Sequence, residues 1–190
     1  MILPKRKNHR LHNFDYGSSG YYFVTICTYN KELLLSSIHN SDEETSGIIN
    51  KDIYKKTVVI PSKLGAKVEE CWYNTERLNK NITITDFVMM PNHIHSIISV
   101  KNEGVLSDFQ KNHRFEITEN KNHRSIQGII KDFKSVTTRY YKKEFNVDHS
   151  LWQDSFYDTV IRDAEQLHSI RQYIYENPYK WGYDSLFRSE

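Results

Sequence analysis

Residues 81–101 read NITITDFVMMPNHIHSIISVK, two runs with strand-like alternation on either side of Pro91-Asn92. Such a pattern predicts a β-hairpin, because proline and asparagine suit a tight turn while the flanks suit a half-buried or fully buried strand. The hairpin limits what the rest of the chain can become, since its apolar residues must be covered by neighbouring elements. The segment GYYFVTICTYN at 20–30 is rich in β-branched and aromatic residues and predicts a central strand. Leu64, Val68, Cys71, Trp72 and Thr75 fall at helical spacing after Ser62, a residue suited to capping a helix. In 125–145, Ile126, Ile129, Ile130, Phe133, Val136 and Tyr140 predict one apolar helix face, with lysines and an arginine opposite. A strand follows around 156–162. The last helix has Asp163 as its N-cap, Gln166 three residues later, and Pro178 at its end.

The predicted order is β-α-β-β-α-β followed by a third helix. It indicates an α+β, ferredoxin-like (split βαβ) fold: an antiparallel sheet with helices on one face, plus a C-terminal helix. At 190 residues the chain is expected to form a single domain. Residues 31–60, which include NSDEETSG, read as an elaboration in which DIYKKTVVI could be a strand. The tetrapeptide KNHR occurs at 7–10, 111–114 and 121–124, and the polar stretch 101–124 is expected to be a flexible loop. Residues 1–19 form a basic N-terminal arm, with KRKNHR at 5–10 and no acidic residue before Asp15.

A net charge of only +2 does not by itself point to nucleic acid. Cys27 and Cys71 form no CxxC and fit free thiols in a reducing compartment. No apolar run approaches the roughly 18 residues needed to span a bilayer. The expectation is a cytoplasmic protein with no membrane partner.

His93 and His95 flank Ile94 inside a strand, so both imidazoles project to one face. Two imidazoles on a rigid face could be ligands to one cation, or they could simply pack. The spacing does not decide, because nine histidines in 190 residues give roughly 0.4 such triplets by chance. In the last helix, Leu167, Ile170 and Ile174 make the buried stripe, with Tyr173 and Asn177 on a shared face beside it. If that face meets the histidines, a phenol and an amide oxygen approach the same point. The alternative has Tyr173 packing at the stripe edge and Asn177 capping the helix. A metal with open coordination positions could polarise a phosphodiester, and a nearby phenolate could attack it, leaving a phosphotyrosine and a free hydroxyl.

Five blocks, GYYFVTICT, FVMMPNHIHSII, IIKDFKSVTTRYYKK, LWQDSFYDTVIRD and YIYENPYKWGY, occur here in that order. Together they closely resemble the single-tyrosine HUH transposases, nearest to the REP-associated tyrosine transposase branch. The similarity runs over most of residues 10–185. It implies a metal-dependent transposase and endonuclease that cleaves and rejoins single-stranded DNA near hairpins, with Mg2+ or Mn2+ as cofactor. Residue by residue, it implies His93 and His95 as the metal-binding pair and Tyr173 as the nucleophile on the C-terminal helix. It puts Asn177 where relatives carry a third polar ligand, often glutamine outside the REP-associated branch.

Other tyrosines compete less well for the nucleophile. Tyr140 continues an apolar stripe, Tyr175 lies about 200° round the helix from Tyr173, and Tyr157 is expected to pack on the final strand. Candidate DNA contacts are Lys5, Arg6, Lys7 and Arg10 in the arm, Lys131, Lys134 and Arg139 on the second helix, and Trp152 with Phe156 for base stacking. The resemblance also allows a homodimer in which one chain's tyrosine serves its partner's histidines. The main alternative is a domesticated hairpin-DNA-binding protein without mobilising activity. A replication initiator or relaxase fits less well, because the chain is short and has no helicase-like P-loop.

Overall fold

The structure is a computed structural model that describes residues 18–41, 56–101 and 125–188. The basic arm through Gly17, the middle of the 31–60 elaboration and the 102–124 stretch lie outside the described residues. Among the described residues, six strands and three α-helices run in the order β1 (Gly20–Cys27), β2 (Ser36–Ser41), β3 (Lys56–Pro61), α1 (Lys63–Leu78), β4 (Ile82–Met90), β5 (His93–Val100), α2 (Ile126–Phe145), β6 (Tyr157–Ile161) and α3 (Ala164–Glu176).

Four strands form an antiparallel sheet in the order β4-β5-β1-β6. With β2 and β3 set aside as a separate two-stranded ribbon, the connectivity is that of the split βαβ fold. The ribbon is where the elaboration departs from expectation. Its second strand starts inside DIYKKTVVI and ends one residue beyond it, at Pro61, and its first, SSIHNS, carries no apolar alternation strong enough to announce it.

Strand alternation sorts β5 between two cores. Ile94 and Ile98 pack with Tyr22, Val24 and Ile26 of β1 against α1 and α2. Ile97 packs on the other face with Ile161, Ile174, Leu167 and Ile170. Helices α1 and α2 therefore cover one face of the sheet, while α3 covers part of the face that His93 and His95 share. Arg171 anchors α3 to β4, its Nε 3.1 Å from Asp86 Oδ2.

The capping expectations hold in atomic detail. Ser62 accepts from the backbone N–H of Gly65, and Asp163 from that of Gln166. Ser125, which sequence reasoning had not singled out, caps α2 in the same way by accepting from the Gly128 N–H. The α2 stripe is corrected. Val136 is exposed, whereas Thr137 and Tyr141 are buried, and Tyr140 packs only at the margin of the core. The buried face advances in four-residue steps from Phe133, because Thr137 Oγ1 accepts the indole N–H of Trp152 at 2.7 Å. Trp152 is fully buried and its polar atom is satisfied, so its ring is not available to stack on a base. Tyr157 is also corrected: it is 58% exposed at the sheet edge rather than packed.

The Pro91-Asn92 turn is buried, which is unusual for a hairpin tip. The segment after β1 folds across it. The Thr28 N–H donates to Asn92 O and the Leu35 N–H to Pro91 O, both at 2.9 Å. Leu35 in turn lies against α1 at Gly65, where a Cβ would sit 1.9 Å from Leu35 O and 2.8 Å from Met89 Sδ.

Helix propensity alone makes Gly65→Ala stabilising by about 0.5–1 kcal/mol. The backbone overlap predicts the opposite sign, a loss of about 1–3 kcal/mol by overpacking. Chemical denaturation of the variant reads this directly, and a stabilised Gly65→Ala protein would contradict the described contact.

Candidate metal and nucleophile site

Register brings the site together. Thr25 stands opposite His95, and Cys27 opposite His93, across the β1–β5 pair. Directly opposed residues share a face, so Thr25 Oγ1 meets His95 Nδ1 at 2.8 Å. His93 Nδ1 lies 2.8 Å from Asn92 Oδ1. The tautomer of His93 follows from the other end of Asn92. Asn92 Nδ2 donates to Leu186 O at 2.8 Å and to Lys31 O at 3.3 Å, so Oδ1 must be the acceptor and His93 Nδ1 the donor. Neutral His93 then has its lone pair on Nε2.

That lone pair faces His95. The two Nε2 atoms are 3.0 Å apart, with both rings buried. Burial drives each imidazole to a pKa of about 3, with Lys31 adding to the effect on His93. At His95 the neighbouring His93 adds to it, while Asp184 opposes it. Both rings are neutral near pH 7, in the state that binds a metal. Since Thr25 Oγ1 can accept as well as donate, His95 can also hold its proton on Nδ1. Two lone pairs would then converge on a point that favours a cation.

Asp184 and Asn177 complete the surroundings. Asp184 Oδ2 is 4.0 Å from His93 Nε2, and His93, His95 and Asp184 offer ligand atoms within 4.8 Å of one another. Asp184 Oδ1 accepts from the Leu186 N–H. Asn177 Nδ2 donates to Asp184 Oδ2 at 3.2 Å, which leaves Asn177 Oδ1 buried without a hydrogen-bond partner. An orphaned buried acceptor beside a carboxylate and two imidazoles fits a divalent cation.

Tyr173 approaches from α3, its hydroxyl 3.2 Å from His95 Nε2 of the same chain. Phe23 fixes the approach. Its ring stacks on His95 at 5.3 Å and meets Tyr173 edge-on at 6.1 Å. Partial burial and the Asp184 carboxylate raise the Tyr173 pKa, and a hydrogen bond with Asn177 works against that rise. The resting side chain is a phenol, 45% exposed to solvent.

Of the residues singled out in the sequence, His93, His95, Tyr173 and Asn177 lie together. Lys131, Lys134 and Arg139 belong to α2, on the opposite face of the sheet. Lys5, Arg6, Lys7 and Arg10 lie outside the described residues. Sequence reasoning missed Asp184, Thr25 and Asn92. Thr25 had a faint signal in the period-two pattern of FVTIC, and Asn92 in its place beside the histidines. Asp184 had none, because it arrives by a return of the chain after Pro178 that no periodicity encodes. There Trp181 lies 6.0 Å from the His93 ring and 5.1 Å from that of Phe187.

A family model described as "Transposase IS200 like" matches residues 107–177, a stretch that contains α2, β6, Tyr173 and Asn177. Over that stretch, somewhat more than a third of its length, the chain is similar to the IS200-like transposases. An uncharacterized protein of Haemophilus influenzae is 29% identical over 187 residues, covering 97% of this chain and 94% of that protein. Among solved structures, a REP-associated tyrosine transposase bound to a REP hairpin aligns with a TM-score of 0.50 at 14% identity. The alignment covers 94% of this chain and 76% of the other. At that identity the likeness is one of fold. No described helix is long and apolar enough to cross a membrane.

The neutral histidine pair makes stability depend on pH. Each imidazole titrates near 6.5 when unfolded and near 3 when folded. Between those values the unfolded chain binds more protons, so metal-free protein loses stability as pH falls from 6.5 toward 3. Thermal unfolding between pH 7 and 4.5 should show a falling midpoint, with a shallower fall in a His93→Gln, His95→Gln double variant. Equal pH dependence in the two proteins would contradict a buried neutral pair.

Proposed function

We propose that this protein is a transposase that cleaves and rejoins single-stranded DNA near hairpins, with Tyr173 as nucleophile and a divalent cation held by His93, His95 and Asp184. The observation that carries the reading is the Tyr173 hydroxyl, 3.2 Å from the Nε2 of a histidine whose lone pair faces a second imidazole at 3.0 Å. Asn177 Oδ1 is a fourth donor for the same cation. The bound cation would draw in a phosphodiester oxygen and favour the phenolate form of Tyr173.

The chain's own groups do the rest. Asn92 and Thr25 hold the imidazoles by their Nδ1 atoms, so Nε2 stays directed at the site. Phe23 holds the Tyr173 ring and Asn177 its hydroxyl, and the half-exposed side chain can release its proton to solvent. Oη then attacks phosphorus as the bond to the leaving oxygen breaks, giving a phosphotyrosine and a free hydroxyl on the other strand end. The phosphotyrosine keeps the energy of the broken linkage, so attack by a strand hydroxyl restores a phosphodiester and frees the tyrosine. The site is complete within one chain. Two nitrogen donors favour Mn2+ over Mg2+.

Denaturing capture of the protein on single-stranded hairpin DNA with Mn2+, followed by peptide mapping, should find the adduct on Tyr173. Tyr173→Phe should abolish the adduct and leave DNA binding within about twofold. An adduct in the phenylalanine variant would assign the nucleophile elsewhere. DNA binding with no adduct in the native protein would favour a binding role without cleavage.

Titration calorimetry checks the ligand set separately. Asp184→Asn should weaken Mn2+ binding by at least about tenfold, and unchanged affinity would remove the carboxylate from the set.

A further inference from the structure

A second feature lies across the sheet from the histidines. A groove of about 540 Å³ runs between α2 and the segment 150–156 that leads into β6. Lys134 props it open, its Nζ donating to the backbone carbonyls of Gln153 and Asp154. Lys134 is thus committed to the wall. Lys131, Arg139 and Lys142 are exposed along the groove and form no ion pair with any described acid; Asp154 is the one acidic residue lining it.

From Lys131 to Lys142 the helix rises about 16 Å. A single small anion would engage only part of such a row, whereas a polymer with regularly repeated negative charges would engage all of it. Phe156, half-buried at the groove floor, offers a flat surface for a base or sugar.

The groove also has a path to the chemistry. Strand alternation sends Phe156 to the groove side and Tyr157 to the other face of the sheet. There Tyr157 stands opposite Thr25, the partner of His95. β6 is the edge strand of the sheet among the described residues, so the way round it is short. From Tyr157 across β1 to His95 is two strand spacings, about 10 Å.

We propose that the α2 groove grips the sugar–phosphate backbone of DNA flanking the cleaved linkage, and that the strand passes round the β6 edge over Tyr157 to reach Tyr173. The occupant follows from the function proposed above, because the same strand must enter both sites. The grip itself is a property of the row of unpaired cations and can be measured without any cleavage.

The test is a Lys131→Glu, Arg139→Glu, Lys142→Glu triple variant, with an Arg77→Glu, Lys80→Glu, Lys101→Glu triple as the control for charge. Fluorescence anisotropy over a salt series would use a long hairpin-bearing strand and an oligonucleotide limited to the cleavage site. The groove variant should bind the long strand at least about tenfold more weakly, with its salt slope reduced by about 2 to 3, close to one unit per lost phosphate contact. Its binding of the short oligonucleotide and of Mn2+ should match the native protein. Unchanged affinity and slope for the long strand would overturn the proposal. So would equal losses on long and short strands, or equal losses in the control triple. If the native protein binds DNA without forming a tyrosine adduct while the groove variant still loses its slope, the cleavage chemistry fails and the groove stands.

Discussion

The buried side chain of Asn92 is the constraint on which the site rests. It accepts from His93 Nδ1 and donates to the carbonyls of Lys31 and Leu186. One amide therefore ties together the hairpin tip, the segment after β1 and the return of the chain after α3. Leaving any of these buried groups unpaired would cost about 1–3 kcal/mol, so the three segments hold one another in place. The segment after β1 includes Asn30 and Lys31, both in the left-handed region at φ 51° and 58°. Strain of this kind persists where surrounding bonds over-determine the backbone, and here Asn92 and Thr28 supply those bonds.

The arrangement costs stability when no cation is present. Two imidazole nitrogens face one another at 3.0 Å in a buried setting, and Asn177 Oδ1 has no partner. A sequence selected for stability alone would not keep these features together. A divalent cation would satisfy them in one step, which links the geometry to the proposed chemistry.

Much of this was legible in the sequence, for reasons that differ by residue. Hairpin and helices were readable because apolar periodicity and capping residues act locally, as at Ser62 and Asp163. His93 and His95 were readable as a pair because strand alternation alone puts them on one face. Tyr173 and Asn177 were readable as a pair because four residues make about one helical turn. What failed depended on tertiary placement. Val136 and Thr137 exchanged roles because Trp152 needed a hydrogen-bond acceptor, and Tyr157 was exposed because β6 lies at the sheet edge. Asp184 and Asn92 reach the site through chain crossings that have no period.

The sheet separates two tasks. The face under α3 gathers the candidate ligands and the candidate nucleophile, and the face under α2 presents positive charge beside a propped groove. β6 is the boundary between them. The central claim is that the histidine pair is a metal site positioned for Tyr173. The most direct measurement is a crystal of the protein grown with Mn2+ and examined by anomalous diffraction at the manganese edge. The account predicts one peak between His93 and His95, within direct coordination distance of both Nε2 atoms and with Tyr173 Oη beside it. Imidazoles that keep their direct 3.0 Å contact with no peak between them would contradict it.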